Sequence, residues 1–213
     1  MYTTEDEEFE RIKRWFASYG IWLLALVVLA ALGFGGWKGW GYYQARQGTQ
    51  ASALYSQFQK AVQNKNTQAI DSTAQKLTGS YAGTPYAALA QLMRAKLAVT
   101  GNKLDAAASD LQWVIAHGSQ TTLRTLATLR LAQVRVAQKR PDAALVLLNS
   151  SLPTAYMPLA KQIQGDAWLI KGDDAKARAA YEEALASAQL AGLPTETLQM
   201  KIAALPANTK GGA

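Results

Sequence analysis

The segment from Ile21 to Trp37, IWLLALVVLAALGFGGW, contains seventeen consecutive uncharged residues and limits the chain's fate more than any other stretch. Counted outward to Ser18 and Tyr42 it meets the roughly 20 apolar residues that a helix needs to cross a bilayer core. Backbone groups in lipid must bond to one another, so the expected conformation is helical. Trp15 and Trp22 stand at one end, and Trp37, Trp40, Tyr42 and Tyr43 at the other, as interfacial aromatic belts do. The alternative, a buried helix of a soluble core, fits less well because no other stretch is apolar on all sides.

Orientation follows from the flanking cations. Arg11, Lys13 and Arg14 precede the run, and Lys38 and Arg46 follow it. That bias, with a short leading tail, puts the N-terminus in the cytoplasm and the longer C-terminal part outside. A cleaved signal peptide fits poorly. The only candidate cleavage site, Ala51-Ser52-Ala53, lies well beyond the apolar run, past Lys38, Trp40 and Arg46. The expected organisation is a tail over 1–18, an uncleaved anchor over 19–43, a helical domain over 44–206 and a disordered tail over 207–213. Within the anchor, Ala31, Gly35 and Gly39 fall four apart, a spacing that lets another helix approach closely.

Charge is unevenly shared. The net charge is +7, yet residues from 44 onward carry 18 of the 22 Lys and Arg against 10 of the 15 acids. A basic domain beside a membrane can meet anionic headgroups or acidic partners. Nucleic acid is the weaker partner, since the domain faces away from the cytoplasm and aromatics do not interleave with the cations. With no cysteine, the chain has neither disulfides nor thiolate ligands.

From Gln44 onward every segment has helical periodicity, and none reads as a strand, so the domain is all-α. Three segments share one pattern: a small residue (Ala95, Ala132, Gly165), a turn, then alanine twelve positions on (Ala107, Ala144, Ala177). A large residue follows four later (Leu111, Leu148, Tyr181). The alanines are 37 and 33 residues apart, bracketing the 34-residue tetratricopeptide period. Two antiparallel helices cross closely only where the facing side chains are small. Residues 51–78 read as a degenerate first repeat, with Ala69 and Leu77 in the corresponding places. The predicted architecture is therefore one transmembrane helix followed by a tetratricopeptide-like hairpin solenoid.

Such solenoids hold extended or helical segments on an inner surface. The repeat register predicts that Leu92, Lys96, Val99, Leu129, Gln133, Val136, Gln162, Asp166 and Leu169 line it. The competing assignment for the leucines is core. No catalytic, metal or cofactor constellation stands out. The single histidine, His117, precedes Gly118 at a helix end, and Asp173-Asp174 and Glu182-Glu183 are adjacent pairs whose side chains diverge. The expectation is a binding protein, not an enzyme.

The chain resembles the YfgM family, ancillary subunits of the bacterial SecYEG translocon, over most of its length. The likeness rests on Phe9, Ile12, Lys13, Trp15-Phe16 and Gly20 before the anchor, and Gly36, Trp37 and Trp40 at its outer end. It continues through Leu129-Arg130-Leu131-Ala132, Asp142-Ala143-Ala144-Leu145, Gly165, Lys171-Gly172-Asp173 and Ala177-Arg178. It closes on Leu198-Gln199-Met200-Lys201-Ile202 and Leu205. The resemblance implies a single-pass bacterial inner-membrane protein with a periplasmic helical domain. Its implied partners are the translocon, a PpiD-like membrane-anchored chaperone, and newly exported, unfolded chains passed on to periplasmic chaperones. The competing reading is a scaffold for folded envelope proteins in cell division or outer-membrane assembly.

Overall fold

A computed structural model describes residues 4–149 and 152–206, with only part of the side chains among the first 40. Among the described residues there are helices and no strand. They are α1 (Thr4–Gln63), α2 (Thr67–Ser80), α3 (Pro85–Thr100), α4 (Leu104–His117), α5 (Thr121–Ala137), α6 (Pro141–Leu148), α7 (Met157–Ile170), α8 (Asp174–Leu190) and α9 (Glu196–Ala203). Two compact units divide the chain, Met1–Gln50 and Ala51–Ala213.

In the first unit, Trp22, Leu24, Leu26, Leu29, Leu32 and Phe34 are all exposed. At 100° per residue these positions are spread around the helix and form no single stripe. Among the described residues no helix is long and apolar enough to cross a membrane. Ala31, Gly35, Gly39, Gly36 and Trp37 lie outside the described side chains, as do Ser151 and the tail 207–213 outside the described residues.

The second unit is a stack of antiparallel hairpins: the end of α1 with α2, α3 with α4, α5 with α6, and α7 with α8, followed by α9. One turn recurs between the two helices of each. Lys65 (φ 54°), Asn102 (φ 54°), Lys139 (φ 57°) and Gly172 (φ 76°) occupy the left-handed region. The next residue's N–H reaches back to the helix: Asn66 to Ala61 at 2.9 Å, Lys103 to Ala98 at 2.7 Å, Arg140 to Arg135 at 2.8 Å and Asp173 to Trp168 at 3.1 Å. This is the Schellman closure, which satisfies carbonyls the helix end leaves open. The left-handed residue is Asn102 rather than Gly101, whose φ is −87°. Starts are equally marked: Pro85, Pro141 and Pro158 sit in first turns, and Asn66 and Asp173 cap α2 and α8 with their carboxamide and carboxylate oxygens.

The crossings are built from matched sizes. Ala95, Leu111, Ala132, Leu148 and Tyr181 are each at most 5 % exposed, and Gly165 is buried. A Cβ on Gly165 would stand 2.4 Å from two atoms of the Tyr181 ring, so the tyrosine fills the space the missing side chain leaves. The first hairpin obeys the same rule in reverse. Equivalent turn residues Lys65 and Asn102 are 37 apart, which puts Phe58 opposite the Ala95 position and Ala74 opposite Leu111. Both are fully buried in one cluster with Ala51, Ile70 and Leu77. The residue equivalent to Ala107 is therefore Ile70, and Ala69, expected there, is only half-buried. The four crossing pairs are Phe58/Ala74, Ala95/Leu111, Ala132/Leu148 and Gly165/Tyr181.

Candidate functional site: an apolar groove between α3 and α5

Inside the second unit lies a groove of about 600 Å³. Leu89, Leu92, Met93, Lys96, Val99 and Thr100 of α3 form one wall, and Leu126, Arg130, Gln133, Val134 and Ala137 of α5 the other. Tyr55 contributes from α1, and Leu104 and Leu111 from α4. The α5 set recurs at i, i+4, i+7 and i+11, one continuous helix face.

Four of the residues expected on the inner surface, Leu92, Lys96, Val99 and Gln133, line this groove. Leu129 does not. It is fully buried with Ala132, Ala144, Leu148 and Ile163 between α5, α6 and α7, with Val136 packed against that cluster. The correction has a simple cause: α5 packs against α3 and α4 on one side and α6 and α7 on the other. Its leucines therefore face both ways, and spacing alone cannot separate Leu126 from Leu129. Gln162 is half-buried on α7, and Leu169 is 46 % exposed. Arg130 also lines the groove without being expected there, although a cation at the position of Met93 one repeat earlier is a usable signal.

Asp166 is engaged elsewhere. It accepts a 2.6 Å hydrogen bond from the Tyr181 hydroxyl and is ion-paired with Lys201 of α9, whose ammonium also lies 5.3 Å from the Tyr181 ring centre. Burial, and then the neighbouring Asp166 carboxylate, push the Tyr181 hydroxyl well above its ordinary pKa. A second polar knot joins α2, α3 and α4. Arg94 lies 3.4 Å from both Asp71 and Asp110 and donates to Gln91. Burial raises the Asp110 carboxyl above the usual carboxylate range against the pull of Arg94, and Asp71 adds to the rise.

The remaining titratable candidate is structural. His117 stacks on Trp113 with ring centres 4.9 Å apart, and its Nδ1 is 3.0 Å from the Trp113 carbonyl oxygen. That oxygen can only accept, so Nδ1 carries the proton. Among the described residues no group of three His, Cys, Asp or Glu could hold a metal ion.

Hairpins of this period, closed by one recurring turn and lined by a groove, define a helical-repeat binding protein of the tetratricopeptide type. The family model for a tetratricopeptide repeat-like domain matches residues 13–207. The proteins named ancillary SecYEG translocon subunit from Escherichia coli and Neisseria gonorrhoeae are 34 % and 32 % identical to the chain. Each match covers about 95 % of this chain (95 % and 94 %) and 97 % of the relative. A third, from Haemophilus influenzae, is 28 % identical over 84 % of this chain and 88 % of its own. The chain belongs to the family of ancillary SecYEG translocon subunits. No solved structure matches it.

Proposed function

We propose that the chain is a single-pass adaptor of the bacterial inner membrane that associates with the SecYEG translocon and holds newly exported, unfolded segments in the α3–α5 groove. The groove is the observation that carries this reading: apolar walls of this size, on a fold that binds chains, offer a place for a partner's side chains. The relatives' name supports the translocon as the assembly. The anchor is 19–43, with the N-terminus in the cytoplasm and 44–206 in the periplasm; the all-round exposure of Trp22, Leu24, Leu26, Leu29, Leu32 and Phe34 supports it, since water would penalise such a helix and lipid would not. Ala31, Gly35 and Gly39 form the face against which a translocon helix packs, and a PpiD-like chaperone receives the held segments. The role is binding, without a chemical step.

Photo-crosslinking in cells tests this at two positions. A crosslinker at Leu32 should capture translocon subunits, and one at Leu92 should capture many different exported chains. Capture of one folded envelope protein at Leu92 would replace the adaptor by a scaffold. Gly35→Leu with Gly39→Leu should reduce co-purification of the membrane partners, and unchanged recovery would reduce the anchor to a tether.

A further inference from the structure

We propose that the α3–α5 groove selects apolar peptide segments that carry a carboxylate, with Lys96 and Arg130 receiving the negative charge; this rests on the groove-binding reading above. The charged residues of the groove lining are these two, and both are basic and exposed. Among the described residues neither has an acidic partner, in contrast to Arg94, Lys161, Lys171, Lys176 and Lys201, which are all ion-paired. Arg130 Nη1 donates to Gln133 Oε1 at 2.9 Å, which places the guanidinium beside Gln133 and leaves its other N–H groups to a ligand.

Successive repeats show how a negative charge is kept off this surface. Lys96, Gln133 and Asp166 occupy equivalent positions, 37 and 33 residues apart. The acid in that row, Asp166, is already matched by Lys201 and the Tyr181 hydroxyl. An acidic segment thus meets two open cations and no free carboxylate, whereas a basic one meets like charge. Charge-assisted bonds to a carboxylate are the stronger class, and the apolar walls lower the local dielectric around them. A peptide suits the lining better than an acyl chain, because the Gln133 amide and the Thr100 hydroxyl stand among the apolar side chains and can bond to a backbone.

The test uses the full chain in detergent and fluorescent peptides that share one apolar core but carry Glu, Gln or Lys beside it. Binding is read by anisotropy. The Glu peptide should bind about tenfold tighter than the Gln peptide, the Lys peptide weakest, with the gap closing as salt is raised. Lys96→Glu combined with Arg130→Glu should invert the order; both sites are exposed, and helical circular dichroism checks that the fold is kept. Equal affinity for all three peptides, with binding still abolished by Leu92→Asp, overturns the carboxylate preference and leaves groove binding standing. Failure of every peptide to bind overturns both. Oleate bound in a Lys96- and Arg130-dependent way, with no peptide binding, would assign the groove to an acyl chain and overturn the proposal.

Discussion

Gly165 shows how one missing methyl group decides a helix crossing. Gly165→Ala drives a Cβ to 2.4 Å from the Tyr181 ring, and the ring is held at its far end by the hydroxyl's bond to Asp166. The expected cost is about 1–3 kcal/mol, the range for overpacking, read from urea unfolding. Asp110 makes a different prediction. Its folded pKa is raised, so the folded state holds the proton more tightly than the unfolded chain does. Its contribution is therefore most favourable below the ordinary aspartate value of about 3.9 and is lost as pH rises through the folded value. Asp110→Asn lacks that term. Measured against the native chain from about pH 3 to about pH 7, its relative stability should rise with pH; a flat difference would place the Asp110 carboxyl in an unperturbed site. The Gly165/Tyr181 match is legible in the repeat spacing, whereas the Asp110 effect is not, since it depends on which residues α2, α3 and α4 bring together.

At the scale of the element, turns and crossings differ in legibility. Asn102 and Gly172 are residue types that favour the left-handed conformation, so the turns they form are legible in the sequence. Lys65 and Lys139 adopt it without any such signal. Replacing either lysine by glycine should stabilise the unit by up to about 1 kcal/mol by relieving Cβ strain, seen as a higher denaturation midpoint. The three later crossings were legible from small and large residues at fixed spacing. The first was not, because Phe58 and Ala74 exchange the sizes and the alignment slid from Ile70 to Ala69. Phe58→Ala should cost about 3–5 kcal/mol by opening a cavity, and Ala74→Leu about 1–3 kcal/mol by overpacking. Together they recreate the Ala95/Leu111 pair, so the double variant should be clearly more stable than the sum of the single losses implies. Additive losses would show that the two side chains do not share a space. Groove residues were half legible: α3 has one neighbour-free side, whereas α5 buries leucines on both.

For the whole molecule, the stack of hairpins and the apolar run of Ile21 to Trp37 make separable demands. The second unit keeps its own core clusters from Ala51 to Leu205. With residues 19–43 as an anchor, alkaline carbonate should leave the full chain in the membrane pellet, while a chain starting at Ala51 should go to the supernatant. Release of the full chain would remove the anchor from the description.

The size-matched crossings also bear on how such chains can be recombined. Each pair lies within one hairpin, so the two halves of a hairpin have been fitted to each other, while its outer faces share core clusters with the neighbouring hairpins. A hybrid cut between hairpins keeps every pair. One cut at the turn around Lys65 or Asn102 would join Phe58 to Leu111, two large residues in one space, or Ala95 to Ala74, two small ones around a void. Breakpoints at 81–84 and 118–120 should therefore yield folded hybrids, and those at 64–66 and 101–103 should not.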